Sequence, residues 1–379
     1  MSDKYKIGGI IMKMNIALKI RIYPNKQQRI MIDKNIGCVR YIYNNLLAIY
    51  KDTGKVVSYK DVYNDDNTWL SESDTSSYSN VQINLKSAIN NHYKNPSHFG
   101  IPTYKSKHNH KQSYTTSVTN NNSRVIDNKH IRIPKVGILR AKVHQLFSNN
   151  YKLKSVTISK ESDCKYYASL LYEYEKKPVE NQTDKPFTYT LGIDYSQDYF
   201  GVLSNGKVIP YPKYLIMNIE KLKLLQQRLS RCTLYSNNWY KRKNEVSRLH
   251  IKIRNQRKDF INKLAKEMSN KFDIIVIEDL NFQQMSKSNH LGKKIYDNSF
   301  GMFIRKLSYK LEQNGKRLIK VSKYYPSSKR CSNCGHIKQD LKLSDRVYTC
   351  NCGNIMDRDY NASLNIAIEG IRILAEVTI

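Results

Sequence analysis

Four of the seven cysteines stand in two close pairs, Cys331-Ser-Asn-Cys334 and Cys350-Asn-Cys352, and no other feature restricts the fold so sharply. A glycine follows each pair, so each can close a turn that presents two thiolates to the same side. Two such turns complete a tetrahedron around one Zn²⁺, with no ligand position left open for a substrate. The second pair has one intervening residue where the first has two, which makes a tighter knuckle. Arg346 to Thr349 reads as a strand leading into it. The spacing therefore predicts a structural zinc ribbon over about residues 327–356, with Cys331, Cys334, Cys350 and Cys352 as ligands. Cys38, Cys164 and Cys232 lie far apart and follow no disulfide pattern, so a reducing cytosol suits the whole set.

The ribbon runs directly into Asp357-Arg-Asp359-Tyr-Asn-Ala-Ser-Leu-Asn365, which opens a helix. Leu364, Ala367, Ile371 and Leu374 recur at helical spacing and are expected to form its buried face. A carboxylate at a helix start is, by itself, most simply a cap or a dipole partner. Two acidic positions upstream change that reading.

The charge balance narrows the partners. Lys and Arg number 64 against 32 Asp and Glu, a net +32, and 29 tyrosines accompany them. An excess of that size implies a polyanion, and rings interleaved with cations favour nucleic acid. A membrane partner would need an amphipathic anchor, a lipidation motif or a long apolar span, and none is visible. No signal peptide is visible either.

In chain order, Met1 to Lys13 reads as a tail, and Met12 or Met14 is a candidate true start. Ile16, Leu18, Ile20 and Ile22 alternate with Ala17, Lys19 and Arg21 as a half-buried strand, broken at Pro24. Asn25 and Gln28 form a capping box for a helix through Leu46 that ends near Gly54. The polar stretch Asp61 to Ser79 reads as a loop, and a second helix is expected over Asn80 to Tyr93, capped by Ser79. Pro102 to Tyr114 mixes rings and cations, and Tyr104 and Lys105 are its candidate nucleic-acid contacts; a merely solvated charge run is the competing explanation. Strands return at Ile131 to Ile133 and in a hairpin of Val156 to Ile158 with Tyr167 to Leu171.

Near Pro186 the pattern changes. Thr188 to Asp194 is an apolar strand ending on a carboxylate, and Asn205-Gly206 is a strong hairpin signal. Basic helices are expected over about 219–229 and 238–268. Asp273 to Ile277 is a continuous β-branched run, read as a buried central strand, and it ends in Glu278. A helix from Ser299 to Gly315 and a strand from Arg317 to Val321 complete an α/β unit.

Asp194 and Glu278 thus stand at the ends of core strands, where charge is costly unless it is paired or metal-bound. With Asp359 they make the Asp, Glu, Asp set of an RNase H-like sheet. Clustered carboxylates stay ionised together only around cations, and two Mg²⁺ can clamp the attacking and leaving oxygens of a phosphodiester. Mn²⁺ is an alternative ion. Asp359 is preferred over Asp357 because it sits within the first helical turn.

These stretches carry a family resemblance. Gly192-Ile-Asp194, Val276-Ile-Glu278-Asp-Leu-Asn281 and Asp357-Arg-Asp359-Tyr-Asn-Ala-Ser363 are similar to the three RuvC motifs of TnpB, the transposon-associated, RNA-guided nucleases related to type V CRISPR effectors. Arg21 to Pro24, Gly37 to Asn44, Lys111 to Thr115, Asn255 to Phe260 and Tyr325 to Ser328 resemble further family signatures. The resemblance covers nearly the whole chain. The shortened second knuckle and Tyr195-Ser-Gln after the first aspartate depart from the usual pattern, and neither removes a ligand.

The resemblance implies an α/β chain with a C-terminal RNase H-like (RuvC) domain carrying an inserted zinc ribbon, preceded by a β-rich wedge domain with a helical recognition insertion. Its boundaries are expected as a tail and first wedge strand at 1–24, the recognition domain at 25–125, the rest of the wedge at 126–186 and RuvC at 187–379. It implies one protein per guide RNA derived from the transposon end, and double-stranded target DNA read beside a short adjacent motif. Tyr43, Asn44 and Gln82 are nominated as motif readers by their position in the family-like helices. The setting implied is the prokaryotic cytosol, at the nucleoid. A catalytically silent guided repressor would lack carboxylates that are all present here. A DNA-joining transposase, or an accessory DNA-binding protein of one, would need an end-binding module that the sequence does not display.

Overall fold

The computed structural model describes residues 12–63, 65–108, 112–176, 189–196, 198–287, 292–342 and 344–378. The tail before Met12, residues 109–111 and the pattern change near Pro186 lie outside them. The chain divides into two compact units, Met1–Lys177 and Pro178–Ile379.

The first unit is organised by β1 (Met12–Ile22). Its alternation buries Leu18, Ile20 and Ile22 and leaves Ala17 and Lys19 exposed, as the period of two requires. After Pro24, the Asn25–Gln28 capping box opens α1 (Lys26–Thr53), and Gly54 closes it in the left-handed conformation with φ 69°.

The region from Asp61 to Ser79 is not the expected loop. It holds the end of α2 (Tyr59–Val62), a 3₁₀ stretch (Asp65–Glu72) and the start of α3 (Ser76–Lys94). Its polar residues bond locally around buried side chains. Tyr78 donates to the Leu70 carbonyl at 2.8 Å and meets Ser73, while the Asp74 amide donates to Asn35 Oδ1 at 2.7 Å. Leu70 and Tyr78 are fully buried, which a solvated loop would not allow. Helix α3 accordingly starts before the predicted Ser79 cap, and the Thr75 side chain makes no capping bond.

Strands β2 (Gln112–Ser117), β3 (Arg124–Val125), β4 (His130–Ile133), β5 (Gly137–Lys142), β6 (Tyr151–Lys160) and β7 (Tyr166–Lys176) follow. With β1 they make one seven-stranded sheet in the order β2-β6-β7-β1-β5-β4-β3. β2 pairs with β6 over its whole length and β3 pairs with β4, so both strands belong to this sheet.

In the second unit β8 (Thr190–Tyr195), β9 (Gly201–Leu203) and β10 (Val208–Ile209) form an antiparallel meander turned at Asn205-Gly206, where Gly206 has φ 81°. Helices α4 (Ile219–Ser230) and α5 (Asn237–Lys271) lead to β11 (Ile274–Glu278), whose first four residues are buried throughout. Then come α6 (Phe282–Met285), α7 (Gly292–Asn298), α8 (Phe300–Gln313), β12 (Arg317–Val321), the hairpin β13 (Val347–Thr349) with β14 (Ile355–Asp357), and α9 (Arg358–Thr378). The sheet order is β10-β9-β8-β11-β12, with β8, β11 and β12 parallel. One core packs Ile261, Ala265 and Met268 of α5 with Phe303, Leu307 and Leu311 of α8 against Leu191, Ile193, Ile275 and Ile277. A separate cluster sets Ile366 of α9 against Ile274, Val276 and Val321.

The α9 face differs from the expected one. Ala362, Ile366 and Gly370 are buried, whereas Ile371 is 52% exposed. Close approach to the strands decides the rotation. A Cβ on Gly370 would come within 2.3 Å of Val276, and one on Gly192 within 2.2 Å of the Ser363 carbonyl. Backbone cannot move aside as a side chain can. Gly192→Ala is therefore expected to lower stability by about 3 kcal/mol, the upper range for overpacking. Gly37→Ala, with open space around it in α1, should raise stability by roughly 0.5–1 kcal/mol. Denaturant melts of the two variants check both signs.

Candidate active site

Parallel pairing sets β8 beside β11, with Ile193 opposite Ile277, so Asp194 and Glu278 lie next to each other at the carboxyl ends of neighbouring strands. Asp359 enters from the first turn of α9. All three line one open cleft of about 480 Å³. Asp194 sits deepest. Burial, then the charges of Glu278 and Asp359, pushes its carboxyl well above the usual range against the pull of Arg358. Burial also raises Glu278, which a hydrogen bond from Ser327 opposes. Without a cation this anionic set is costly.

Apart from Asp198, the other charged groups at the cleft are cationic: Lys323, Lys329, Lys342, Arg346 and Arg358 line it. Arg358 Nη2 pairs with Asp359 at 3.2 Å. Asp357 is turned to another task, because its Oδ1 accepts from the Tyr360 amide at 2.9 Å and so caps α9. Tyr195, one of the departures noted above, packs edge-on against Phe282 and Phe300 at 5.1 and 4.9 Å between centroids.

The four cysteines converge. Cys331 and Cys352 sulfurs lie 3.7 Å apart, Cys334 and Cys350 sulfurs 3.6 Å apart, and all four lie within 4.8 Å of one another. A tetrahedral Zn²⁺ with Zn–S of about 2.3 Å needs edges near 3.8 Å, so the sulfurs fit the ion. Gly335 and Gly353 turn the knuckles at φ 77° and 88°. Burial would raise the Cys331 thiol, but the Cys334 amide, the Asn354 side chain and the Asn333 amide bring it down to about 6, which favours a thiolate. Among the described residues, no other set of three His, Cys, Asp or Glu side chains draws its ligand atoms so close. The three carboxylates share a cleft but stand further apart.

Four of the nominated nucleic-acid residues meet in the first unit. Lys105 Nζ lies 3.9 Å from the Tyr43 ring centroid, and Lys51 Nζ lies 4.2 Å from that of Tyr104. Asn44 bonds the Lys105 backbone through both ends of its amide, at 2.8 and 3.1 Å. Gln82 stands apart, donating to the Val57 carbonyl and accepting from the Tyr59 amide. Tyr43 is buried, whereas Tyr104 is 52% exposed.

Sequence reasoning missed Ser327, Asn361 and Asn365, all buried beside the cleft and the knuckle. For the asparagines the signal was present: two of them four apart at a helix start share one face.

Comparison with known proteins concerns the chain more broadly. A family model of OrfB type described as "Probable transposase" matches residues 169–289, and a helix-turn-helix model of the same type matches 12–55. The latter residues here form a strand and one long helix. A Cas12f1-like TNB domain matches 300–366. A candidate RNA-guided DNA endonuclease of Streptomyces pristinaespiralis is 28% identical, covering 94% of this chain and 89% of its own. InsQ of Escherichia coli K12, named in the same terms, is 29% identical over 96% of this chain and 94% of its own. A Cas12f1 chain solved with guide RNA and target DNA superposes with a TM-score of 0.54 at 17% identity, covering 94% and 99% of the two chains.

The fold is thus the mixed α/β type seen in Cas12f effectors. Within that class, the chain is similar to OrfB-type, TnpB-like proteins along most of its length.

Proposed function

We propose that the chain is an RNA-guided, metal-dependent DNA endonuclease encoded by a transposable element. One observation carries the reading: Asp194, Glu278 and Asp359, from β8, β11 and α9, converge on a cleft otherwise rich in lysine and arginine. The sheet order, with three parallel strands and an antiparallel meander on one edge, agrees with an RNase H-like (RuvC) domain. On this reading the seven-stranded sheet of the first unit is the wedge domain and α1 to α3 its recognition insertion.

Asp194, Glu278 and Asp359 would hold Mg²⁺, which supplies Lewis-acid stabilisation of charge on a phosphodiester. The surrounding lysines and Arg346 would hold the phosphates of the strand in position, and water would be the nucleophile. The four cysteines would hold a structural Zn²⁺. The partners are a guide RNA from the transposon end and double-stranded target DNA, with one protein per guide. Tyr43, Asn44, Gln82, Tyr104 and Lys105 remain the nominated contacts. The setting is the prokaryotic cytosol.

The net charge of +32 predicts a steep fall of nucleic-acid affinity with salt. A log–log slope of several units is expected, since each neutralised phosphate releases counterions. Titrations at several ionic strengths check it, and a flat response contradicts an extended binding channel. The guided reading is tested by sequencing RNA that copurifies with the protein, then challenging the complex with plasmids bearing the matching target. Mg²⁺-dependent cutting of the matched plasmid alone supports it. Absence of a defined RNA, or cutting indifferent to sequence, refutes it.

A further inference from the structure

We infer that Ser327 is a positioning residue for Glu278, held by Asn365 of α9, so that the cysteine knuckle and the carboxylate cleft share one hydrogen-bonded frame. The inference rests on the metal-holding role proposed for Asp194, Glu278 and Asp359. Ser327 is buried, and its hydroxyl donates to Glu278 Oε1 at 2.6 Å. A bond that short to a carboxylate is charge-assisted, and it leaves Oε2 as the oxygen available to a cation.

The serine is itself fixed from behind. Asn365 Nδ2 donates to the Ser327 carbonyl at 2.8 Å and to the Arg330 carbonyl at 2.6 Å. One helical turn earlier, Asn361 Nδ2 donates to the Arg330 carbonyl at 2.7 Å, and its Oδ1 accepts from the Ser332 amide at 3.0 Å. Ser332 adjoins Cys331, the first thiolate of the knuckle. Both asparagines are fully buried, a costly placement for amides unless they are bonded. The same helix supplies Asp359 to the cleft, so one rigid element locates one carboxylate directly and a second through Ser327. Outer residues of this kind orient metal ligands, and their loss weakens metal binding about 10–100-fold.

The test uses the full-length, zinc-loaded chain and Mn²⁺ as probe, followed by electron paramagnetic resonance titration. Asp194→Ala defines the cleft-bound ion. Ser327→Ala is expected to weaken that binding about tenfold, with zinc content and melting temperature unchanged, and Ser327→Thr, which keeps the hydroxyl, to stay within about twofold of the parent. Parent-like Mn²⁺ affinity in Ser327→Ala overturns the inference. So does an equal loss in Ala and Thr variants, which marks a packing defect. If Asp194→Ala binds Mn²⁺ as the parent does, the carboxylate reading fails, and the inference falls with it.

Discussion

Asp359→Asn should abolish DNA cleavage, while Asp357→Asn should leave a substantial rate. The two aspartates lie two residues apart and do different work. Asp359 lines the cleft with Asp194 and Glu278, and its charge adds to the repulsion felt by Asp194. Asp357 is exposed and spends Oδ1 on the Tyr360 amide. An amide at position 359 keeps the shape and removes a charge proposed to bind metal. Metal-ion stabilisation supplies several kcal/mol and each ~1.4 kcal/mol is tenfold, so the loss should be on the order of 10³-fold or more. At position 357, asparagine is itself a good cap, and the cost to the helix should be a few tenths of a kcal/mol. Cleavage rates of both variants at saturating Mg²⁺ decide the assignment, and the reverse order of activities would overturn it.

The second large effect is expected at the knuckle. Cys331→Ser or Cys350→Ser removes one of four sulfurs that already lie at tetrahedral spacing. Structural zinc contributes apparent binding energies of about 10–16 kcal/mol, most of which is folding energy for a small metal-held element. Beyond the asparagine bonds from α9 the element is small: the hairpin of β13 and β14 has three residues per strand, and Tyr348 is its largest buried side chain. Metal analysis should show stoichiometric zinc in the parent and loss in either variant, with an early melting transition. Zinc retained in both variants would contradict the ligand assignment.

Much of this was legible from local chemistry. The continuous apolar run of β11, the alternation of β1 and the Asn25 capping box each follow from periodicity or a fixed spacing. The cysteine cluster followed from spacing as well. What stayed hidden depended on tertiary contact. Asp61 to Ser79 looked like a loop because its serines and aspartates are poor helix formers, yet those side chains bond one another around Leu70 and Tyr78. The buried face of α9 was misjudged because glycine scores as nothing in a hydrophobic pattern. Gly370 and Gly192 nevertheless mark where helix and strands touch. Ser327 lies in the family-like stretch Tyr325 to Ser328, which assigns it no role, and only the fold brings it to Glu278.

The central claim is that the cleft of Asp194, Glu278 and Asp359 cuts DNA and is not simply part of the scaffold. Asp194→Ala, purified with its RNA and compared with the parent on a matched plasmid in Mg²⁺, tests it most directly when cutting and binding are measured side by side. The account predicts cleavage lost by on the order of 10³-fold or more, with target affinity within about twofold, because the metal site touches few of the phosphates that the basic surface holds. Cutting at the parental rate, or cutting and binding lost together, would contradict it.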